Sequence, residues 1–183
     1  MQCEPSGFEI LRASLAFRIL GETVYRDYAY RLPINGDEAV LDFGCGLGAV
    51  AYYAAGRLQG GFLTCVDASA RWIEACRRTL RHRTDVTYLQ DVRALPAASF
   101  GLIYCHLALH RIPDEDLAGV IPELSRLLRP KGLFAFREPL RRAKEAIVVQ
   151  RLAVESGLVR ADSRITDAPL VGSTIESIYA RPL

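Results

Sequence analysis

Apolar positions follow two alternating rhythms from about residue 39 onward. Short, mostly apolar runs of three to five residues give way to longer stretches spaced by three and four. The short runs read as strands buried on both faces, the longer ones as amphipathic helices. Ahead of them, residues 8–32 carry apolar and basic residues at helical spacing, with Leu11, Leu15, Ile19 and Leu20 on a common side, which predicts one or two helices. Pro33, Asn35 and Gly36 break that pattern. Strands are expected at 39–41, 62–66, 86–89, 102–105 and 133–136. Between them come helices at 49–58, 70–81 and 114–128, and a last helix covers 142–156.

The helix at 70–81 presents Trp72, Ile73, Cys76 and Leu80 on one face. That at 114–128 opens with Asp114, Glu115 and Asp116, which favour a positive helix start. The tetrapeptide 129–132, Arg-Pro-Lys-Gly, is expected to stop it before the next strand. Two β-rich segments, 158–165 and 174–181, close the chain. The stretch joining them, with Pro169 and Gly172, is too short for a parallel crossover, so they are expected to pair antiparallel.

Strands alternating with helices predict an α/β fold with an open, mostly parallel, doubly wound sheet. A length of 183 residues with 50% apolar composition fits a single domain, 1–183, with a helical segment at 1–36 ahead of a core at 37–183. The net charge of +2 argues against a nucleic-acid partner. Five cysteines, Cys3, Cys45, Cys65, Cys76 and Cys105, include no Cys-x-x-Cys pair, so reduced thiols and no metal are expected. The first eleven residues lack the basic and apolar segments of a secretion signal, and no apolar run reaches membrane-spanning length. A cytoplasmic protein is the expectation.

In such a sheet, ligands bind beyond the carboxyl ends of the strands. Gly44, Gly46 and Gly48 follow the first strand, where a side chain would keep a ligand from the backbone at the helix start. Asp67 ends the second strand 19 residues past Gly48, the place of an acidic side chain that accepts both hydroxyl protons of a ribose. Because Gly44, Gly46 and Ala49 also satisfy the looser dinucleotide fingerprint, an NAD(P)-binding oxidoreductase remains a second reading. Asp42 opposes a pyrophosphate but suits the ammonium of a methionine moiety. Asp91 and Val92, after the third strand, offer a carboxylate and an N–H to an adenine edge.

With these motifs, the sequence resembles the class I S-adenosylmethionine-dependent methyltransferases, especially the small ubiquinone-biosynthesis type. The matching stretches are VLDFGCGLG at 40–48, CVDAS at 65–69, QDVRALPAASFGLIYCHLALHRIPD at 90–114 and LSRLLRPKGLFAFREP at 124–139. The resemblance implies a seven-stranded sheet of order 3-2-1-4-5-7-6 with strand 7 reversed. It implies that Asp42 and the loop Gly44, Cys45, Gly46 and Gly48 hold the methionine part of S-adenosylmethionine. Asp67 would bind the ribose, Ala68 would lie against the adenine, Asp91 and Val92 would meet its edge, and the His106 backbone would face the amino group. Cys45 is read as a loop filler beside the cofactor. Gly101 and Arg111 depart from the family pattern, the latter where the acceptor pocket is expected.

The chemistry implied is transfer of the sulfonium methyl to a small-molecule acceptor, leaving S-adenosylhomocysteine, with positioning and desolvation as the protein's main contribution. A silent cofactor-binding or activator relative is the alternative. Cys105 does not follow a proline, and Tyr104 to Leu107 lack the signature of amide- and base-nitrogen methylating enzymes. His110, beyond the fourth strand, is the candidate general base. Residues 1–36 are expected to form a lid over the pocket or a helical edge, with Phe17, Tyr25, Tyr28 and Tyr30 as candidate contributors.

Overall fold

The computed structural model of the chain describes residues 4–183, so Cys3 lies outside the described residues. Two compact units divide the chain, one ending at Val92 and the other beginning at Arg93. Seven strands form one sheet of order β3-β2-β1-β4-β5-β7-β6, as the resemblance implied.

In the first unit, helix α1 (Gly7–Leu20) starts at Ser6, whose hydroxyl accepts from the Glu9 N–H while Glu9 reaches back to the Ser6 N–H. A wider π-helical turn (Gly21–Arg26) and the short helix α2 (Asp27–Arg31) continue it. Strands β1 (Ala39–Phe43), β2 (Phe62–Val66) and β3 (Val86–Leu89) then alternate with helices α3 (Ala49–Ala55) and α4 (Ala70–Thr79). All three strands run parallel, with Asp42 opposite Cys65 and Cys65 opposite Tyr88.

The side of α1 carrying Leu11, Leu15 and Ile19 faces solvent rather than a core. Ile10, Ala13 and Phe17, with Tyr25, pack instead against Leu47, Ala49 and Ala75. Aromatic packing distinguishes the inward stripe: Phe17 sits edge-on to Tyr25, Tyr52 and Tyr53 at 5.7–6.1 Å between ring centres.

The turn between β1 and α3 is built from left-handed glycines, Gly44 (φ +78°), Gly46 (φ +53°) and Gly48 (φ +80°). At Gly48 the reason for glycine is packing as well as conformation. A Cβ there would come within 2.6 Å of the Cys76 sulfur on α4. At Gly46 a Cβ would meet no atom within 4 Å.

In the second unit, β4 (Phe100–His106) leads through a single 3₁₀ turn (Leu109–Arg111) to α5 (Asp114–Leu127), whose Leu117, Ile121, Leu124 and Leu127 are buried as the spacing predicts. Strand β5 (Leu128–Pro139) follows at once. The tetrapeptide 129–132 therefore does not separate helix from strand but bulges out of it. Phe100 pairs with Leu128 and Leu102 with Leu133, so the extra residues on β5 must loop outward. Lys131 adopts φ +64°, and a Cβ on Gly132 would come within 2.8 Å of the Arg129 carbonyl oxygen. After α6 (Ala143–Glu155), β6 (Val159–Ala168) and β7 (Gly172–Ala180) pair antiparallel, and β7 also pairs antiparallel with β5. Both are longer than expected, because their connection narrows to a tight turn around Leu170 (φ +63°). Among the described residues no helix is long and apolar enough to cross a membrane.

Two adjacent charged residues lie fully buried in β5, Arg137 and Glu138. The Arg137 Nε donates to Thr174 Oγ1 at 3.0 Å and lies 3.2 Å from Glu176 Oε1, while Arg164 binds the other Glu176 oxygen at 3.1 Å. Removing the Arg137 guanidinium would leave the buried Glu176 with Arg164 as its remaining ion-pair partner. Arg137→Ala is expected to cost about 1–3 kcal/mol in urea unfolding. Gly48→Ala and Gly46→Ala both force a side chain into a left-handed backbone, at roughly 1–2 kcal/mol. Gly48→Ala is expected to cost at least about 1 kcal/mol more, because it also drives a methyl into Cys76. Equal losses would refute packing as the reason for Gly48.

Candidate cofactor and acceptor sites

In the first unit the carboxyl ends of three parallel strands carry the expected cofactor residues. β1 is buried through Asp42, and its backbone runs directly into the glycine turn. The N–H groups of Gly44 and Cys45 both donate to the Val66 carbonyl, at 2.8 and 3.0 Å, which clamps the start of the turn to the end of β2.

Asp67 completes the clamp. Its Oδ2 accepts from the Gly46 N–H at 3.0 Å, its Oδ1 from the Ser69 N–H at 3.0 Å, and the residue is 9% exposed. One buried carboxylate thus organises both the glycine turn and the start of α4. Ala68 is exposed beside it, and its carbonyl accepts from the Gln90 side chain at 3.2 Å. Past β3, Asp91 is exposed and Val92 buried. Asp67 and Asp91 therefore stand at the same end of adjacent strands, since Val66 pairs with Leu89. Above the turn, Gly46 opens onto space in which an added Cβ would meet nothing within 4 Å.

Glu4 enters this region from the amino-terminal segment. Its carboxylate accepts from the Ser69 hydroxyl and from the N–H groups of Ala70 and Arg71, at 3.2 and 3.4 Å. The Ser69 hydroxyl bond holds the Glu4 carboxyl below the usual carboxylate range. An acidic group at a helix start complements the exposed N–H dipoles. Nothing in the spacing of residues 1–11 pointed to it.

Cys45 is buried beneath the turn, and its thiol lies against those of Cys65 and Cys76. Contact with the Cys65 and Cys76 thiols, together with burial, raises Cys45 well above the ordinary thiol range, whereas hydrogen bonds from Cys45 and Cys65 lower Cys76 to about 5. The four described cysteines are free thiols.

The second unit holds the remaining two candidates, at the carboxyl end of β4. His106 ends the strand opposite Arg137, and Leu107 turns the chain with φ +56° while its N–H donates to the Arg137 carbonyl at 2.8 Å. His110 lies in the 3₁₀ turn, and its Nδ1 is hydrogen-bonded to Glu138 Oε2. The Glu138 side chain is 1% exposed, that of His110 15%. Glu138 Oε1 also accepts from the N–H groups of Ala108 and Leu109, at 3.1 and 2.8 Å. The carboxylate that orients the imidazole therefore shapes the whole turn. Glu138 was missed from the sequence because a charged residue at the end of an apolar strand reads as the strand's solvent boundary. Its signal was the pair Arg137-Glu138 between Phe136 and Pro139.

A family model described as a methyltransferase domain matches residues 40–132, just over half of the chain. A trans-aconitate 2-methyltransferase of an Azoarcus species is 34% identical over 116 residues, covering 62% of this chain and 44% of that protein. A malonyl-acyl-carrier-protein O-methyltransferase of Enterobacter lignolyticus is 36% identical over 108 residues, 58% of this chain and 41% of that one. The chain thus spans less than half the length of these curated relatives. In fold, it is similar to the crystal structure of a SAM-dependent methyltransferase from Aquifex aeolicus, at a TM-score of 0.77 and 13% identity over 97% of this chain and 99% of that one. The motif sequences, the strand order and the matched family domain converge: this chain belongs to the class I S-adenosylmethionine-dependent methyltransferases.

Proposed function

We propose that this chain binds S-adenosylmethionine at the carboxyl ends of β1, β2 and β3 and transfers its methyl group to an oxygen of a small-molecule acceptor. The observation that carries this reading is the open space over Gly46, whose N–H is held by the buried Asp67 carboxylate in a turn that directly follows the buried Asp42. A ligand approaching there meets bare backbone, with Asp42 for its ammonium and Asp67 for its ribose hydroxyls. Ala68 offers an apolar surface to the adenine, and Asp91 and the Val92 N–H read its edge. Cys45 contributes small volume under the turn. The bound cofactor supplies an already activated sulfonium methyl, so the chain's task is positioning and exclusion of water.

α1 covers this region in our reading. Ile10, Ala13 and Phe17 rest on Leu47, Ala49 and Ala75, and Glu4 fastens the segment to α4. Residues 1–36 then serve as the cover and 37–183 as the catalytic core.

The small-molecule acceptor is supported by the relative named for trans-aconitate, and transfer to oxygen by the relative named as a malonyl-acyl-carrier-protein O-methyltransferase. His110 acts as the base in this proposal. With its Nδ1–H donated to Glu138, the imidazole keeps its lone pair at Nε2, where it accepts a proton from an acceptor hydroxyl. Glu138 is a positioning residue that fixes the tautomer, as the orienting carboxylate of a catalytic triad does.

S-adenosylhomocysteine is expected to bind one per chain and raise the Tm, and NADH to leave it unchanged. Asp67→Asn should weaken that binding by roughly ten- to a hundredfold, since a charge-assisted hydrogen bond contributes about 1.5–3 kcal/mol. Stabilisation by NADH alone would overturn the cofactor assignment. Labelled methyl donor, presented with a panel of small hydroxy and carboxylic acids, should transfer label to one of them. Binding without transfer to any acceptor would favour a silent cofactor-binding relative.

Once an acceptor is known, His110→Ala is expected to lower kcat about a hundredfold or more with cofactor affinity and Tm held. Glu138→Gln should lower kcat less and shift the pH profile, because the amide still accepts from the turn but no longer supports an imidazolium. Unchanged turnover in His110→Ala would assign the pair to the scaffold and leave an acceptor that reacts already ionised.

A further inference from the structure

Cys45, Cys65 and Cys76 come from three different elements of the first unit, the glycine turn, β2 and α4. Their sulfurs nevertheless all lie within 4.8 Å of one another, and all three are buried. No thiol among them has a chemical part in the proposed methyl transfer. A disulfide would join two of these sulfurs and leave the third aside, whereas a soft cation engages all three.

We infer that Cys45, Cys65 and Cys76 form a three-thiolate site for one soft, closed-shell cation of the zinc and cadmium class. A metal–sulfur bond of about 2.3 Å sets three trigonal sulfurs ~4.0 Å apart, inside the 4.8 Å that bounds the observed separations. Sulfur ligands on three separately anchored elements select a thiophilic ion over magnesium or calcium, which require oxygen. Gly48 contributes by omission, since its missing Cβ is what lets the Cys76 sulfur approach the turn. Cys45 retains 8% exposure, and the neighbouring Gly46 borders open space.

Binding involves no change of oxidation state. Three S–H bonds are replaced by three metal–sulfur bonds, the protons pass to solvent, and a divalent ion then leaves one net negative charge. Arg77, the next residue on α4, is the neighbouring cation, stacked over the Tyr88 ring at 4.4 Å. The ion would tie the glycine turn to β2 and α4, which is a structural rather than a catalytic task.

The test is titration of the reduced 183-residue chain with Cd²⁺ in a thiol-free reductant without oxygen. One ion per chain is expected, with a sulfur-to-cadmium absorption band that saturates at one equivalent and a rise in Tm. Cys45→Ser, Cys65→Ala and Cys76→Ser should each lose the band, and Cys3→Ser and Cys105→Ala should keep it. Circular dichroism of each variant separates loss of the site from loss of the fold. Should Cys65→Ala or Cys76→Ser not fold, Cys45→Ser in the turn carries the same readout. An absent band, a band that persists in folded Cys45→Ser, or a mass lower by two hydrogens with no metal bound would each overturn the site, the last in favour of a disulfide.

Discussion

The contact on which the first unit depends is the hydrogen bond from the Gly46 N–H to the Asp67 carboxylate. Everything around it is conditional on the turn staying in its left-handed path. The strand ends place Gly44 and Cys45 against Val66, but those two bonds fix only the entry to the turn. Asp67 fixes its apex, and through the Ser69 N–H it fixes the start of α4 as well. A charge-assisted bond contributes about 1.5–3 kcal/mol, comparable to the conformational cost of the turn it stabilises. The same carboxylate is the one we assign to the ribose. Ligand binding and loop order are then two demands on one side chain, each oxygen of which has more than one lone pair to offer.

The device recurs. Glu38 accepts from the N–H groups of Asn35 and Gly36 at 2.8 and 3.0 Å, which closes the loop that delivers the chain into β1. Glu138 does the same for the turn after β4. In each case a short irregular segment leaves backbone donors that no strand or helix can satisfy, and a buried carboxylate takes two of them at once. Loops at the carboxyl ends of strands are where a ligand must meet the backbone, so they cannot be stabilised by covering them with apolar side chains. Satisfying their N–H groups from beneath rigidifies them and leaves the upper surface open.

Periodicity made the regular elements legible. The strand limits at 62–66 and 86–89 coincide with those observed, and the buried face of α5 follows from its spacing alone. Where the reading departed from the structure, a tertiary contact outweighed a local signal. Arg-Pro-Lys-Gly at 129–132 has the composition of a helix stop, yet the pairing of Phe100 with Leu128 draws the strand back to the helix end and turns the tetrapeptide into a bulge. Leu11, Leu15 and Ile19 satisfy helical spacing as well as Ile10, Ala13 and Phe17 do, and the aromatic partners Tyr25, Tyr52 and Tyr53 distinguish the set that turns inward. Of the site residues, those announced by a strand end or a glycine were visible, whereas Glu4 and Glu138 act through sequence-distant backbone groups, Glu4 with no local trace and Glu138 with only its place beside Arg137 in an apolar strand.

Glycine at position 48 shows why motif and mechanism need separate arguments. The three glycines look equivalent as a sequence pattern, and a single functional cause, access for a ligand, would explain all of them. Their surroundings divide that cause. Gly46 faces open space and is constrained by its left-handed backbone, so its freedom serves whatever approaches from above. Gly48 faces α4, where a methyl group would collide with Cys76, so its smallness serves the packing of the helix that follows Asp67. One residue keeps the surface bare; the other lets α4 come near enough for Ser69 to reach the carboxylate that holds the turn. The repeat is therefore the record of two constraints, and they meet at Asp67.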